Sequence, residues 1–292
     1  MQSIVSYPDR GHWGDSKYRG NHSGHLMVDL INQFKPGLVC DANEGSGTNR
    51  DVCSEMGVDY VGLDLMNGQD FTKDYILDFL PRQADLVWTH PPYADMIRYS
   101  GAVWGDSPVE GDTSLCSIDE FVTKSQIMLM NQREATRNGG HYVTLIGDLR
   151  RKGSYYSFQA DFQKMMPKNE LAGIVIKAQH NTLSGRNSYS GNFIPIAHEY
   201  LLIWKKKEQS FYQIAWTKAL ELKHEIASTW RNAIRMAMMK LGGQASLTDI
   251  YTEIEQIAGN LIAANQHWKA RIRNILQKHY ENVERGVWTV AA

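Results

Sequence analysis

The residues His90-Pro91-Pro92-Tyr93 stand directly after an apolar run, Asp85–Thr89, that is typical of a buried strand. In open α/β sheets the chemistry lies at the carboxyl ends of the strands. Two adjacent prolines fix the backbone and remove its N–H donors, so only carbonyl oxygens face outward. A neutral histidine accepts one hydrogen bond, and a tyrosine offers a flat surface for stacking. These residue types predict a receptor for the exocyclic amino group of a base held out of its stack, whose nitrogen becomes more nucleophilic when acceptors bind its hydrogens.

A second segment with chemical potential, residues 41–50, reads Asp-Ala-Asn-Glu-Gly-Ser-Gly-Thr-Asn-Arg and follows another apolar run. Its glycines let the backbone pass close to a ligand, and the helix predicted after them offers unpaired N–H groups. Further on, Asp64 ends the next apolar run, where a carboxylate can bind both hydroxyls of a ribose. The loop lacks the lysine of a nucleotide phosphate loop, and Arg50 stands where a dinucleotide loop has its third glycine. The remaining cofactor is S-adenosylmethionine, although for the loop alone an ordinary glycine turn is an equally good interpretation.

Taken together, the two segments resemble those of the DNA amino-methyltransferases, which make N6-methyladenine or N4-methylcytosine. The family motif is Asp, Asn or Ser followed by Pro-Pro-Tyr, and its cofactor loop is Asp-Pro-Phe-x-Gly-Ser-Gly-Thr, to which residues 41–48 are similar. The resemblance extends from about Trp13 to Lys206. With the cofactor loop first and target recognition last, the order resembles one of the permuted subclasses of the family.

The resemblance implies S-adenosylmethionine as cofactor and assigns roles to individual residues. The implied cofactor-binding residues are Asn21, Ser23, Asp41, Glu44, Gly45, Gly47, Thr48, Asp64, Asp70 and Phe71. Among them, the loop residues would line the methionine part, Asp64 would hold the ribose, and Asp70 and Phe71 would lie against the adenine. The implied catalytic residues are His90, Pro91, Pro92 and Tyr93. Tyr93 would stack on the flipped base, so phenylalanine in its place should preserve activity.

Histidine at position 90 departs from the family, which has Asp, Asn or Ser there. A neutral imidazole can still accept a hydrogen bond from an amine, whereas a protonated one cannot. The departure leaves the target base open, with adenine N6 favoured over cytosine N4. Taken alone, His90 would be interpreted as a structural histidine at the edge of the core.

Three other segments have weaker patterns. The glycine-containing loop Tyr99–Cys116 suits either a clamp beside the base or a plain surface loop, and the polar stretch His180–Asn192 suits either phosphate contact or a connection. The pair His198-Glu199 opens a strand, and no second histidine follows at helical spacing. The structural interpretation of that pair is therefore favoured, and no metal site is predicted.

The elements that must position these residues alternate between strands and helices. Predicted strands are 38–41, 60–65, 85–89, 141–146, 171–176 and 200–204; predicted helices are 24–34, 48–56, 117–137 and 156–166. Near-continuous apolar strands indicate burial on both faces, and strands that alternate with helices indicate a parallel sheet. The predicted fold class is α/β, a doubly wound, mostly parallel, Rossmann-like methyltransferase sheet over residues 1–207.

After Trp204 the pattern becomes helical. We predict a connecting helix at 208–227 and a domain at 228–292 that resembles a winged helix, with helices at 228–241, 246–258 and 265–280 and a hairpin at 282–290. The third helix would bury Trp268, Ile272, Ile275 and Leu276 and enter the major groove of DNA, while the hairpin turn touches the backbone. The predicted DNA-binding residues are Lys269, Arg271, Arg273, Lys278 and Arg285. A protein-interaction domain with a solvated basic face is the alternative.

The composition limits the classes of protein to which this chain can belong. The 292 residues are 42% hydrophobic, with a formal net charge of −1, which argues against a generally basic coat for nucleic acid but allows a local basic face. Three widely spaced cysteines predict no disulfide framework, and no apolar run is long enough to cross a membrane. We therefore expect a cytoplasmic, nucleoid-associated protein of a prokaryote or phage that binds double-stranded DNA. A homodimer and a partner restriction nuclease stay open, as do two other functions: an RNA base methyltransferase and a non-catalytic DNA-binding regulator.

Overall fold

The computed structural model describes residues 1–180, 194–208 and 230–290. The chain forms two compact units, Met1–Glu208 and Gln209–Ala292. Except for Glu208, the predicted connecting helix lies outside the described residues, as does the stretch His180–Asn192 after its first residue.

The elements of the first unit follow the predicted alternation of strands and helices. Its helices are α1 (Gly24–Phe34), α2 (Thr48–Met56), α3 (Ile118–Ala135) and α4 (Phe158–Met165). Its strands are β1 (Ile4–Ser6), β2 (Leu38–Asp41), β3 (Asp59–Gly62), β4 (Ala84–Thr89), β5 (Thr136–Ile146), β6 (Leu149–Arg151), β7 (Ser154–Tyr156), β8 (Leu171–Ala178) and β9 (His198–Lys205). Short 3₁₀ turns lie at Leu65–Asn67, Ile76–Phe79, Ala94–Met96, Thr113–Leu115 and Lys168–Glu170, and an irregular turn at Tyr99–Val103.

Seven strands form one sheet in the order β1-β8-β9-β5-β4-β2-β3. Strand β9 runs antiparallel to both of its neighbours, β5 and β8, and the other pairs in the sheet are parallel. A hydrophobic core lies on each face of the sheet, and consecutive residues of β4 contribute to them alternately. Leu86 and Trp88 pack on the side of α1 and α2, and Val87 packs on the side of α3 and α4. Helices on both faces explain the near-continuous apolar strands, and they confirm the predicted α/β, doubly wound, mostly parallel fold.

The order of the sheet switches at β2. The chain leaves β2 through α2 and enters β3 on one side, and β4 then pairs with β2 on its other side. Such a switch point opens a crevice at the carboxyl ends of the two strands. Because β2 ends at Asp41 and β4 ends at Thr89, the glycine loop and the Pro-Pro-Tyr segment start on opposite sides of this crevice.

Three strands of the first unit were not predicted from the sequence patterns. Strand β1 is a three-residue edge strand parallel to β8, and β6 and β7 form a small antiparallel hairpin, all too short to show a periodicity. Strand β5 also starts at Thr136, earlier than predicted, because the polar segment before His141 still pairs with β4 through an irregular register.

The second unit is a small helical domain with a three-stranded antiparallel sheet. Its elements are α5 (Trp230–Lys240), β10 (Gln244–Ser246), α6 (Leu247–Ile257), α7 (Gly259–Ala263), α8 (Trp268–His279), β11 (Tyr280–Glu284) and β12 (Val287–Val290). The strand order is β10-β12-β11, so the predicted hairpin forms, with its turn at Arg285-Gly286. On α8, Ile272 and Leu276 are buried and pack against α5 and α6.

None of the helices in the described ranges is long and apolar enough to cross a lipid bilayer. Within the same ranges, no group of His, Cys, Asp or Glu side chains is arranged to hold a metal ion.

Candidate active site at the switch point of the sheet

A pocket opens in the crevice between the ends of β2 and β4. The empty space between its walls, counted out into open solvent, is about 620 Å³. The lining residues that the sequence predicted are Asn21, Glu44, Gly45, Thr48, Asp64, Phe71, His90 and Pro92. The other lining residues, to which the sequence assigned no individual role, are Tyr18, Gly20, His22, Asn43, Ser46, Leu65, Tyr99, Trp104, Gly111, Asp112 and Thr113. Both motifs therefore contribute to one pocket.

The glycine loop needs its glycines for conformation and for close packing. Gly45 and Gly47 have φ angles of +53° and +77°, in the left-handed region that other residues adopt rarely. A side chain at Gly47 would collide with the guanidinium of Arg50, which lies over it, and one at Gly45 would press on the ring of Tyr18. Gly47 thus shapes the turn into α2 without lining the pocket, and Thr48 behind it does line the pocket.

Asp64 lies on the pocket wall and also holds the loop in place. One carboxylate oxygen accepts from the backbone N–H of Gly45 at 2.9 Å, and the other accepts from Met66 N–H at 2.9 Å, which starts the turn after β3. The carboxylate therefore keeps lone pairs for a ligand while it ties the carboxyl end of β3 to the loop after β2.

Asp41 lies beneath the loop instead of in the pocket lining. Its carboxylate accepts from Asn43 N–H at 2.9 Å and from the Asn49 amide at 2.7 Å, and the residue is 1% exposed. Burial raises its pKa to about 7, against the lowering effect of these two hydrogen bonds. The structure thus gives Asp41 a contact with the loop backbone and with α2.

Asn43 joins the two motifs. Its side-chain oxygen accepts a 3.2 Å hydrogen bond from the backbone N–H of His90. The Asn49 side chain, which binds Asp41, also contacts His22 Nε2 at 2.9 Å. His22, in the loop before α1, lines the pocket with its ring edge-on to His90 at 5.7 Å between centroids. In the sequence, the segment Lys17–Gly24 weakly resembles the N-terminal cofactor segment of the DNA amino-methyltransferases, but nothing in it marks His22 individually, because the partners of His22 are distant along the chain.

His90 is neutral at physiological pH. Burial lowers its pKa to about 4, with Glu199 opposing this shift and Lys177 adding to it. Its Nε2 lies 2.7 Å from the hydroxyl oxygen of Tyr93. Because a neutral imidazole carries one hydrogen on its two ring nitrogens, the other nitrogen of His90 can accept a hydrogen bond, and His90 lines the pocket.

Tyr93 does not line the pocket in this structure. Its side chain is buried, its ring lies against Gly147, and its hydroxyl donates to Glu199 Oε1 at 3.1 Å. The predicted stacking surface is thus turned into the core, because the hydroxyl has charged and polar partners there. Pro91 is also buried, and the Pro92 carbonyl accepts a 3.4 Å hydrogen bond from the Thr113 hydroxyl.

Of the other residues predicted to bind the cofactor, some line the pocket and some lie behind the lining residues. Asn21 lines the pocket, and its amide donates to the Asp15 carbonyl, whereas the Ser23 hydroxyl donates to the Arg10 carbonyl outside the lining. Phe71 lines the pocket, but the adjacent Asp70 directs its carboxylate to Thr72 N–H and hydroxyl at 2.9 and 2.6 Å. These contacts place Ser23 and Asp70 behind the wall.

An aromatic wall formed by Tyr18, Tyr99 and Trp104 closes one side of the pocket. The indole N–H of Trp104 donates to the Tyr18 hydroxyl at 3.2 Å, and the rings of Tyr99 and Trp104 lie 5.0 Å apart. Tyr99 and Trp104 belong to the loop for which the sequence left a clamp and a surface role equally open. The structure places part of that loop in the lining.

The charge of the lining selects against phosphate. Its charged side chains include the acids Glu44, Asp64 and Asp112, and no Lys or Arg is among the described residues that line it. Phosphate sites in proteins use cationic side chains and unpaired backbone N–H groups. Acids with aromatic rings instead suit a ligand that carries positive charge, an aromatic ring and hydroxyl groups.

In the second unit, the predicted basic residues are all exposed. Lys269, Arg271, Arg273 and Lys278 lie on α8, and Arg285 lies in the hairpin turn. Lys269 Nζ also lies over the rings of Tyr251 and Trp268, at 5.3 and 5.0 Å from their centroids.

The histidines make the first unit sensitive to acid. Burial lowers the folded-state pKa of His22 to about 3, from an unfolded value of 6.5, so its contribution to stability is present above pH 6.5 and is lost as pH falls. His90 and His141, with pKa about 4, act in the same direction, and Asp41 acts in the opposite one. We expect His22→Gln to reduce the slope of unfolding free energy against pH, between about pH 5 and 6, by about 1 kcal/mol per pH unit, because the unfolded histidine is mostly protonated there and the folded one is not. Urea titrations at several pH values measure this slope, and equal slopes in the two proteins would contradict the prediction.

No protein-family model matches this chain, and no curated protein matches it. Among solved structures, TehB from Haemophilus influenzae is 13% identical over 63% of this chain and 62% of its own, with a TM-score of 0.39. A Thermus thermophilus protein complexed with S-adenosylmethionine, provisionally classed as a DNA modification methylase, is 18% identical over 57% and 72%, with a TM-score of 0.33. Human N-acetylserotonin methyltransferase, also complexed with S-adenosylmethionine, is 13% identical over 63% and 51%, with a TM-score of 0.34. This chain thus aligns with less than two thirds of TehB, and with TM-scores below 0.5 the function of the site rests on its own geometry.

Proposed function

We propose that the first unit binds S-adenosylmethionine in this pocket and methylates the exocyclic amine of a base in DNA, with adenine N6 as the favoured target. The observation that carries the proposal is the meeting of two motifs in one pocket: a neutral histidine after β4 faces an acid-lined glycine loop after β2. The resemblance of both segments to the DNA amino-methyltransferases supports the same function.

The lining fits S-adenosylmethionine better than a phosphate-bearing cofactor. When bound, this cofactor supplies an electrophilic methyl group, and the electron pair of the broken bond stays on its sulfur. Asp64 would hold the ribose hydroxyls, Phe71 would pack against the adenine, and Glu44 with the loop at Gly45 and Thr48 would face the methionine part. Asp41 supports this arrangement from below through Asn43 and Asn49.

The chain's own part in the reaction is to bind and orient the amine and to remove its proton. His90 accepts a hydrogen bond from the amine, which draws the nitrogen lone pair out of the ring system. As the nitrogen gains the methyl group it becomes strongly acidic, and one of its N–H bonds then breaks with the proton moving to the imidazole. A neutral imidazole suits both steps, because a protonated one could neither accept the hydrogen bond nor take the proton.

We propose double-stranded DNA as the substrate because of the second unit. Its order of helix, strand, further helices and hairpin is consistent with the winged helix that the sequence resembles, and α8 would be the helix that enters the major groove. Sequence-specific RNA recognition more often uses other modules.

Nucleoside mass spectrometry tests the proposal. The protein is incubated with S-adenosylmethionine and with duplex DNA or structured RNA, and the digested nucleosides are analysed, with His90→Ala as the control for contaminating activity. The expected result is N6-methyldeoxyadenosine in the DNA incubated with the wild type and none in the DNA incubated with His90→Ala. N4-methyldeoxycytidine would correct the base, methylated RNA alone would correct the substrate, and no product with either would favour a non-catalytic DNA-binding regulator.

The basic face of the second unit should govern the salt dependence of DNA binding. We expect the combined change Lys269→Gln, Arg271→Gln and Arg273→Gln to flatten the plot of log affinity against log salt by roughly 0.9 for each lost phosphate contact, since fewer counterions are released. Fluorescence anisotropy with labelled duplex at several salt concentrations measures the slope. Lys35→Gln with Lys168→Gln, two exposed lysines of the first unit, should leave it unchanged. An unchanged slope in the triple variant would indicate that this face binds a protein.

A further inference from the structure

Four side chains, those of His90, Tyr93, Glu199 and Lys177, form a hydrogen-bonded series that starts at the pocket and leads into the core. His90 Nε2 lies 2.7 Å from the Tyr93 hydroxyl oxygen, and that hydroxyl lies 3.1 Å from Glu199 Oε1. The other carboxylate oxygen of Glu199 accepts from Lys177 Nζ at 2.7 Å. Lys177 on β8 and Glu199 on β9 are direct cross-strand partners, so the sheet itself fixes the far end of the series.

The positions of the protons in this series follow from what each group can donate. Burial alone would raise the pKa of Glu199, but Lys177, His90 and the hydrogen bonds from Lys177 and Tyr93 lower it to about 2, so the group is an ionised acceptor. Burial and the neighbouring Glu199 raise the pKa of Tyr93, so this hydroxyl keeps its one hydrogen. That hydrogen is directed to the carboxylate, and the hydroxyl oxygen must then accept from His90.

The tautomer of His90 is thereby determined. A neutral imidazole carries one hydrogen, and the contact with Tyr93 requires it on Nε2. Nδ1 then has a free lone pair. Nδ1 makes no hydrogen bond to any residue that the structure describes. It is also not one of the fully buried side-chain atoms without a partner, so it has access to the space around it. Because His90 lines the pocket, its acceptor nitrogen is available to a ligand there.

We infer that Glu199 and Lys177 are positioning residues that act through Tyr93 to hold His90 as the Nε2–H tautomer, with Nδ1 presented to the amine of the target base. The inference rests on the proposed function for the identity of that amine. It also gives Tyr93 a different role from the predicted stacking surface: its hydroxyl is the link between the carboxylate and the imidazole.

The cost of burying this ion pair favours a positioning role. The side chains of Lys177 and Glu199 are only 11% and 10% exposed, and two charges taken out of water gain little net stability from each other. Glycine at position 147 leaves room for the arrangement, since a Cβ there would come within 3.1 Å of the Tyr93 ring and 3.6 Å of the Glu199 side chain.

The test measures the tautomer directly, without substrate. Nitrogen-15 NMR of protein labelled at histidine distinguishes a protonated from an unprotonated ring nitrogen, and His90→Asn identifies the His90 signals by their loss. We expect wild-type His90 to carry its hydrogen on Nε2. In Tyr93→Phe the signals should move toward a mixture of tautomers, and kcat for methyl transfer should fall about 10- to 100-fold, the range for loss of a hydrogen bond to a charged network. The double change Lys177→Met with Glu199→Gln should shift the same signals.

Tyr142→Phe is the matched control. Tyr142 is buried and its hydroxyl donates to a buried carboxylate, Glu170, at 2.6 Å, but it does not contact His90. This variant should leave the His90 signals and kcat unchanged, and S-adenosylmethionine affinity should stay within about twofold of wild type in Tyr93→Phe. A hydrogen on Nδ1 in the wild type, or wild-type signals and kcat in Tyr93→Phe, would overturn the inference. A protein that methylates nothing would overturn the proposed function instead, while the NMR result would still decide the tautomer.

Discussion

Replacing His90 by alanine is expected to lower kcat for methyl transfer by about 100-fold or more, the usual contribution of a positioned proton acceptor. The dissociation constant for S-adenosylmethionine should stay near the wild-type value, because in the proposed reaction the imidazole binds the amine and not the cofactor. The backbone N–H of residue 90, which binds Asn43, also remains in the variant. Single-turnover kinetics with duplex DNA measure the first quantity and calorimetry measures the second. Full turnover in His90→Ala would show that the histidine is structural.

Two further variants sharpen this result. His90→Asn restores an acceptor of the usual family type and should retain more activity than alanine. His90→Asp should retain less than asparagine, because Glu199 Oε1 lies only 3.9 Å from the imidazole Nε2 and a second carboxylate would face it.

The pH dependence has a defined sign. With a pKa lowered to about 4, His90 is neutral at higher pH, so kcat should be insensitive to this group above about pH 5 and should fall only below it. A fall centred near the ordinary histidine pKa would contradict the buried, neutral state.

The second large effect concerns Asp64. We expect Asp64→Ala to weaken S-adenosylmethionine binding by roughly 1–3 kcal/mol, because it removes the acceptor that we propose for the ribose hydroxyls and leaves the Gly45 N–H without its partner. Asp64→Asn, which keeps one acceptor oxygen, should lose less. Titration calorimetry measures both values.

Asp59→Ala is the control for Asp64→Ala. Asp59 is exposed at the opposite end of the same strand, β3, and its alanine variant should bind the cofactor as the wild type does. Unchanged affinity in Asp64→Ala would remove the ribose assignment, whereas equal losses in both variants would indicate a general effect on folding.

Much of the fold could be predicted from the sequence because its signals are local. The strands at Leu38–Asp41 and Asp85–Thr89 are short apolar runs that end at polar residues, and their burial between two helical layers follows from the lack of alternation. The signal of the glycine loop is also local. Gly45 and Gly47, two residues apart, both have positive φ angles, and glycine also lets a ligand approach the backbone. Each motif comes directly after a strand, and because β2 and β4 are parallel, the two motifs lie at one edge of the sheet.

The residues that complete the site could be assigned only from the tertiary structure. The rings of His22 and His90 meet edge to face although the two residues lie far apart in the sequence, and Tyr93 contacts Glu199 across 106 positions. From its neighbours alone the pair His198-Glu199 is interpreted as structural, because no local pattern indicates that β9 pairs antiparallel with β8 or that Glu199 contacts Tyr93. The motif specifies a tyrosine at position 93 and predicts stacking, but only the packing around Gly147 decides which way its ring turns. Residue types and short spacings determined the chemistry available to this chain, and the long-range pairing of strands decided which groups share a pocket.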